Sequence, residues 1–213
     1  MYDLGERLED GVVDPGTNLL FTGPPMTGKR DIALDVLAEG SRRGEGAIVV
    51  TTKDGADRVL SDYADRAADD PLLGVVDCVT RQQGMSGTEL DDDHVRYASS
   101  PVDLTGIGIE LSDLLREFYD ERGRTQNRVL LHSLSTLLMY SDLQTVFRFL
   151  HVFTGRIQSA DALGLFVIDS TGHDQQTLST LKQLFDGVVE VEETDGERRH
   201  RLVGIDDGAW HAH

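Results

Sequence analysis

Apolar residues along the chain alternate between two patterns. The first is a short unbroken run: Leu19-Leu20-Phe21, Ala47-Ile48-Val49-Val50, Gly74 to Val79, Val129-Leu130-Leu131 and Leu163 to Ile168. Runs of this length, rich in β-branched residues and bounded by polar or glycine positions, predict strands buried on both faces. Between them, apolar residues recur every three or four positions and predict amphipathic helices. Ile32, Val36 and Leu37 mark a helix over 29–43, and Val59, Leu60 and Tyr63 a second, polar one. Leu111, Leu114, Leu115 and Phe118 mark a third over 109–122, closed by Gly123. Ser141-Asp142 opens a fourth, with Leu143, Val146, Phe147, Leu150, Phe153 and Ile157 as its apolar stripe. A fifth spans 174–185. Residues 187–213 read as a terminal hairpin and tail, turning at Thr194-Asp195-Gly196. Residues 1–17 form a lead-in segment with a brief helix (Leu4, Leu8, Val12) and a Pro15-Gly16 turn. Residues 81–108 follow neither period. Strands alternating with helices, then a hairpin, predict an α/β sandwich with a mainly parallel sheet and an antiparallel C-terminal hairpin, as one domain over 1–213.

Candidate chemistry concentrates where the first strand meets the first helix. Gly23-Pro24-Pro25-Met26-Thr27-Gly28-Lys29 fits the phosphate-loop pattern G-x-x-x-x-G-K, with Arg30 where Ser or Thr completes it. A glycine-rich loop feeding a helix N-terminus aims backbone N–H groups into one concavity, and the helix dipole favours an anion there. Lys29 adds a point charge. Elsewhere, Asp91-Asp92-Asp93 beside His94 has carboxylate and imidazole groups but no metal-cage spacing, and reads as a solvated acidic loop. His211 and His213 sit at a terminus expected to fray.

Charge alters the picture of partners. Among 213 residues, 38 acids against 20 bases give a formal net charge of −18. Such a surface does not support nucleic-acid binding, which needs clustered cations. Only Lys29, Lys53 and Lys182 are lysines, and Asp outnumbers Glu. This balance resembles proteins of extreme halophiles, whose concentrated salt screens an acidic surface. Cys78 is alone, so no internal disulfide can form. The start lacks a signal-peptide pattern, and the most apolar stretch, 129–140, is too short and polar to span a bilayer. The expectation is a cytoplasmic protein without membrane partners.

Leu8-Glu9-Asp10-Gly11, Pro15-Gly16 and the run to Gly23, then Val129 to Thr136, then Phe185-Asp186-Gly187-Val188-Val189-Glu190, together resemble the RecA/KaiC branch of P-loop ATPases, in particular small archaeal KaiC-like proteins. The resemblance covers most of the chain and implies a RecA-like P-loop NTPase three-layer sandwich. It also implies ATP as ligand and a homo-oligomer or ring with nucleotide at subunit interfaces. Gly23, Pro24, Pro25, Met26, Thr27, Gly28, Lys29 and Arg30 would then be the nucleotide-binding loop. In that family a hydroxyl after the lysine and a carboxylate ending the second-motif strand hold Mg²⁺; here Arg30 and His132 stand at those positions.

A hard cation is disfavoured at both positions. Arg30 pairs either with phosphate, replacing the metal charge, or with a nearby carboxylate along its helix. His132 marks either the second motif or a buried core histidine. The carboxylates left for catalysis are Asp54, after the second strand, and Asp169, ending the fifth. Strand order matches Asp169 to the family's γ-phosphate sensor, although an apolar strand ending in Asp also fits a metal carboxylate. Three functions follow: a nucleotide-binding regulatory or assembly module with weak or no hydrolysis, an ATPase completed by Asp54, Asp169 or a neighbouring subunit, and a structural partner of an unidentified protein with an empty pocket.

Overall fold

The computed structural model describes residues 1–9, 11–84, 93–194, 196–205 and 208–212. Its centre is a nine-stranded sheet. The strands in chain order are β3 (Asn18–Gly23), β4 (Gly46–Thr51), β5 (Leu73–Asp77), β6 (Val95–Tyr97), β7 (Asn127–His132), β8 (Leu163–Asp169), β9 (Gly187–Thr194), β10 (Glu197–Val203) and β11 (His211–Ala212). Their spatial order is β11-β10-β9-β3-β8-β7-β4-β5-β6. All pairs from β9 to β6 are parallel, and β10 and β11 add antiparallel. The predicted mainly parallel sheet with a C-terminal antiparallel hairpin is therefore the observed one. A separate two-stranded ribbon joins β1 (Tyr2–Asp3) to β2 (Val12–Val13).

Alternate residues of each buried strand serve opposite faces, so each apolar run feeds two cores. Leu19, Phe21, Val49, Val75, Leu130, Leu165 and Val167 pack against α1 (Lys29–Glu39), α2 (Ala56–Ala64) and the β1–β2 ribbon. Leu20, Ile48, Val50, Val76, Val129, Leu131, Phe166 and Ile168 face α3 (Leu104–Asp120), α4 (Leu134–Tyr140), α5 (Leu143–Ser159) and α6 (Gln175–Lys182). Among the described residues, no helix is long and apolar enough to cross a membrane.

Four local expectations differ from the structure. The brief N-terminal helix is a single 3-10 turn, Glu6–Leu8, because Leu4 and Val13 are fixed by the flanking ribbon. The stretch 81–108 contains edge strand β6 and the start of α3, whose N-cap Asp103 accepts from the Gly106 N–H; this cap precedes the apolar stripe that marks the helix. Helix α4 follows β7 directly and was hidden in one apolar stretch with it. His211 is not frayed: it pairs with His200 in β11, stacks on that ring, and its Nδ1 lies 3.3 Å from Glu9. His213 lies outside the described residues.

The N-terminal ribbon is tied to the sheet through a buried ion pair. Arg128 is fully buried on β7, and its Nε lies 2.6 Å from Glu45 Oε2 while Nη1 donates to the Val36 carbonyl at 2.6 Å. The Tyr2 ring lies 5.5 Å from the guanidinium, and the Tyr2 hydroxyl accepts from the Asn127 N–H and donates to the Asp161 carbonyl. A buried pair adds little net stability over apolar isosteres, but removing one member strands a charge. Glu45→Leu should cost about 3–5 kcal/mol in urea unfolding, whereas Glu45→Leu with Arg128→Met should recover most of that loss.

Candidate nucleotide-binding site

Adjacent strands β3 and β8 end together, with Gly23 opposite Asp169, and the helices that follow them leave onto opposite faces of the sheet. A parallel sheet binds ligands in such a crevice beyond its carboxyl ends. Gly23 can only be glycine, because a Cβ there would lie 2.2 Å from the Val191 carbonyl oxygen of β9. From Gly23 the loop passes through Met26, which is exposed and has a φ of 63°, to Gly28 with a φ of 88°. Gly28 is the N-cap of α1 and supplies no side-chain cap. The helix ladder begins with the Ile32 N–H donating to the Gly28 carbonyl at 3.0 Å, so the N–H groups from Gly28 to Asp31 precede it. Thr27 Oγ1 donates to the Pro24 carbonyl at 2.9 Å and braces the loop from inside.

Lys29 is buried and doubly held. Its Nζ lies 2.5 Å from Asp169 Oδ1 and donates to the Pro24 carbonyl at 2.8 Å. Arg30 turns toward α2, where Nη2 donates to Asp62 Oδ2 at 2.7 Å and lies 3.6 Å from Asp54 Oδ2. Asp54 is also 4.0 Å from Arg58 Nε and 4.0 Å from His132 Nδ1. Thr52 joins the ends of β4 and β7: its Oγ1 donates to the Ser133 carbonyl and accepts from the Ser133 N–H. The crevice therefore brings together Gly23, Gly28, Lys29, Arg30, Asp54, His132 and Asp169. Pro25 and Met26 lie on the outer part of the loop.

His132 is almost completely buried. Burial, then the charges of Arg30 and Lys53, push its pKa down to about 3 against a smaller opposing pull from Asp169. The ring is neutral at ordinary pH. Neither the Arg30 guanidinium, which follows Lys29, nor the neutral His132 imidazole that ends β7 offers an oxygen ligand to a hard cation such as Mg²⁺. Among the described residues, no three His, Cys, Asp or Glu side chains converge as a metal-holding group. At the other candidate cluster, His94 Nδ1 lies 3.2 Å from Glu117 Oε1, while Asp91 and Asp92 lie outside the described residues.

Several neighbours of the crevice carry no sequence motif. Ser135 Oγ accepts from the Asp169 N–H at 3.0 Å and lies 3.0 Å from His173 Nε2. Asp62 is one of many acids on a polar helix, and nothing in its spacing distinguishes it. Trp210 lines a cavity of about 350 Å³ beside Gly23 and Pro24, together with Leu178, Val191 and Lys182. Its ring lies 4.8 Å from the Arg199 guanidinium and 4.6 Å from that of Arg201. An isolated aromatic in a polar tail gives no periodicity to read.

The buried neutral histidine has a pH signature. Its folded pKa is below the unfolded value of 6.5, so the unfolded chain binds the extra proton between those values. That part of the stability is complete above pH 6.5 and falls by up to about 1.4 kcal/mol per unit as pH drops toward 3. His132→Asn should remove this slope. Urea unfolding of parent and variant at pH 7, 6 and 5 should show the parent losing ground to the variant at each step.

The fold is that of KaiC-like, RecA-type proteins. The KaiC-like protein PH0186 of the hyperthermophilic archaeon Pyrococcus horikoshii OT3 superposes with a TM-score of 0.65 at 12% identity, over 100% of this chain and 89% of that one. The uncharacterized protein PH0321 of Pyrococcus horikoshii, solved in complex with an unknown peptide, superposes with a TM-score of 0.69 at 12% identity, over 93% and 86%. Identities this low establish likeness of fold alone. No curated protein matches the sequence. A family model described as a family of unknown function, DUF7504, matches residues 16–191, a span from the turn before β3 into β9 that contains the whole crevice. The chain belongs to the DUF7504 family.

Proposed function

We propose that the protein is a KaiC-like nucleotide-binding module that holds the phosphates of ATP or ADP without a metal ion. It acts through binding, as a regulatory or assembly component of a cytoplasmic homo-oligomer, with hydrolysis weak or absent. The observation that carries this reading is the cation set at the carboxyl edge of the sheet. Lys29 lies under the loop, Arg30 and Lys53 act on His132, and Lys182 lines the adjoining cavity. On a chain of net charge −18, two of the three lysines, Lys29 and Lys53, act on His132, and the third, Lys182, paired with Glu190, lines the adjoining cavity.

The loop N–H groups and the α1 dipole would meet the phosphates, and Lys29 would exchange Asp169 for a phosphate oxygen. Arg30, oriented by Asp62 and Asp54, would supply the positive charge that Mg²⁺ supplies elsewhere. The cavity beside Gly23 offers Val191, Leu178 and the edge of Trp210 to the base. Asp54 is engaged by Arg30 and Arg58, which leaves it a poor base for activating water.

Thermal unfolding with ATP or ADP, with and without Mg²⁺, tests the reading in parent and Lys29→Ala. A ligand at one hundred times its Kd should add about 2.7 kcal/mol. The shift should survive EDTA and vanish in Lys29→Ala. A shift that needs Mg²⁺, accompanied by turnover, would replace this reading with an ATPase completed by Asp54, Asp169 or a second subunit. No shift in any condition would leave a protein-interaction module.

Asp169 should compete with the nucleotide. Its carboxylate is one-third exposed, so the pair with Lys29 is discounted for solvent screening to about 1 kcal/mol. Asp169→Asn should therefore tighten nucleotide binding roughly fivefold by isothermal titration.

A further inference from the structure

Helix α5 differs in charge from its neighbours. Helix α5, Leu143–Ser159, contains Arg148, His151 and Arg156 and no acidic residue. Its neighbour α3 carries Glu110, Asp113, Glu117 and Asp120, and α1 carries Asp31, Asp35 and Glu39. With 38 acids in 213 residues, a helix of this length would by composition hold about three.

This helix also carries exposed apolar surface. Val152 on α5 is 55% exposed and Ile109 on α3 is 52% exposed, and they flank a groove of about 300 Å³. Phe149 and Leu104 form its walls, and Gly108 lies in it without a side chain. The groove continues past Val152 to Gly155, where an added Cβ would meet open space. Arg156 is fixed in the wall, with Nη1 on Ser112 Oγ at 2.7 Å and on the Gly108 carbonyl. Arg148 stands exposed at the rim. Arg148, Val152, Gly155 and Ser159 follow one another at helical spacing, so they form a single ridge.

We propose that the α3–α5 groove docks an acidic amphipathic helix of a partner protein. The partner's apolar ridge would lie over Ile109, Val152 and the glycine gaps, and its carboxylates would face Arg148. Charge complementarity decides the occupant: Arg148 and Arg156 line the groove and no carboxylate does, so a basic segment gains nothing there, whereas an acidic one meets arginines on a chain of net charge −18. The apolar gap supplies the contact, and the arginine sets the sign of the partner.

The 213-residue chain can be titrated by fluorescence anisotropy with a labelled helical peptide of about 16 residues bearing leucine on one face and glutamate on its flanks. The same peptide with lysine flanks serves as control. The glutamate peptide should bind saturably and at least tenfold more tightly than the lysine peptide. Arg148→Glu and Val152→Glu, both on exposed positions, should each weaken it at least tenfold, while Lys29→Ala should leave it unchanged. Circular dichroism melting of each variant verifies the fold. Equal binding of both peptides, binding of neither, or affinity indifferent to Arg148→Glu and Val152→Glu would overturn the proposal. So would concentration-dependent dimerisation abolished by Val152→Glu, which would make the occupant a second copy, or cosedimentation with anionic phosphatidylserine vesicles that depends on Arg148.

Discussion

The position of β3 between β8 and β9 is the constraint on which the site depends. Both edges of its backbone are hydrogen-bonded to parallel neighbours, so its end cannot shift without breaking two ladders. The absence of a side chain at Gly23 lets β9 approach until the Val191 carbonyl occupies the space of a Cβ. That close approach aims the chain into the loop and brings Asp169, one strand over, against Lys29. The loop is held at its two ends by the sheet and α1 and from inside by the Thr27 and Lys29 hydrogen bonds to the Pro24 carbonyl, while its tip, Met26, is almost wholly exposed.

The sequence made the fold legible where one physical signal dominated. Parallel strands such as Ala47 to Thr51 are buried on both faces, and their continuous apolar runs had no competing reading. Edge strand β6, with Val95 buried but Arg96 and Tyr97 only partly so, has too little apolar content to stand out. Helix α4 escaped because β7 is separated from it by Ser133 alone, with no turn residues to punctuate the change of period. The loop and its lysine were readable because glycine spacing encodes backbone geometry. The partners that tune it, Asp62, Ser135 and Trp210, were not readable. Each comes from a different element, and only the folded sheet makes them neighbours.

Electrostatics divides the molecule into roles. Arginines of the 3-10 turn Gly40–Arg43 that extends α1, and Arg66 just beyond α2, are spent on carboxylates: Arg66 bridges Asp31 and Asp35, Arg42 and Arg43 reach Glu39, and Arg43 also reaches Asp3. These partly exposed pairs lower self-repulsion in an acidic chain, and each contributes little to stability. The crevice uses charge differently. There burial and the neighbouring charges of Arg30 and Lys53 act in the same direction on His132, both disfavouring its protonated form, so the ring stays neutral among charged neighbours.

The end of the chain folds back so that Trp210 lies between Arg199 and Arg201, at the wall of the cavity beside Gly23 and Pro24. It is the only tryptophan in the sequence. Intrinsic fluorescence of the unlabelled protein therefore comes, above tyrosine, from one ring beside the start of the Gly23–Gly28 loop. Because an indole responds to nearby charge and water, the molecule has a native optical probe at the place where its chemistry is concentrated, with a single and unambiguous source.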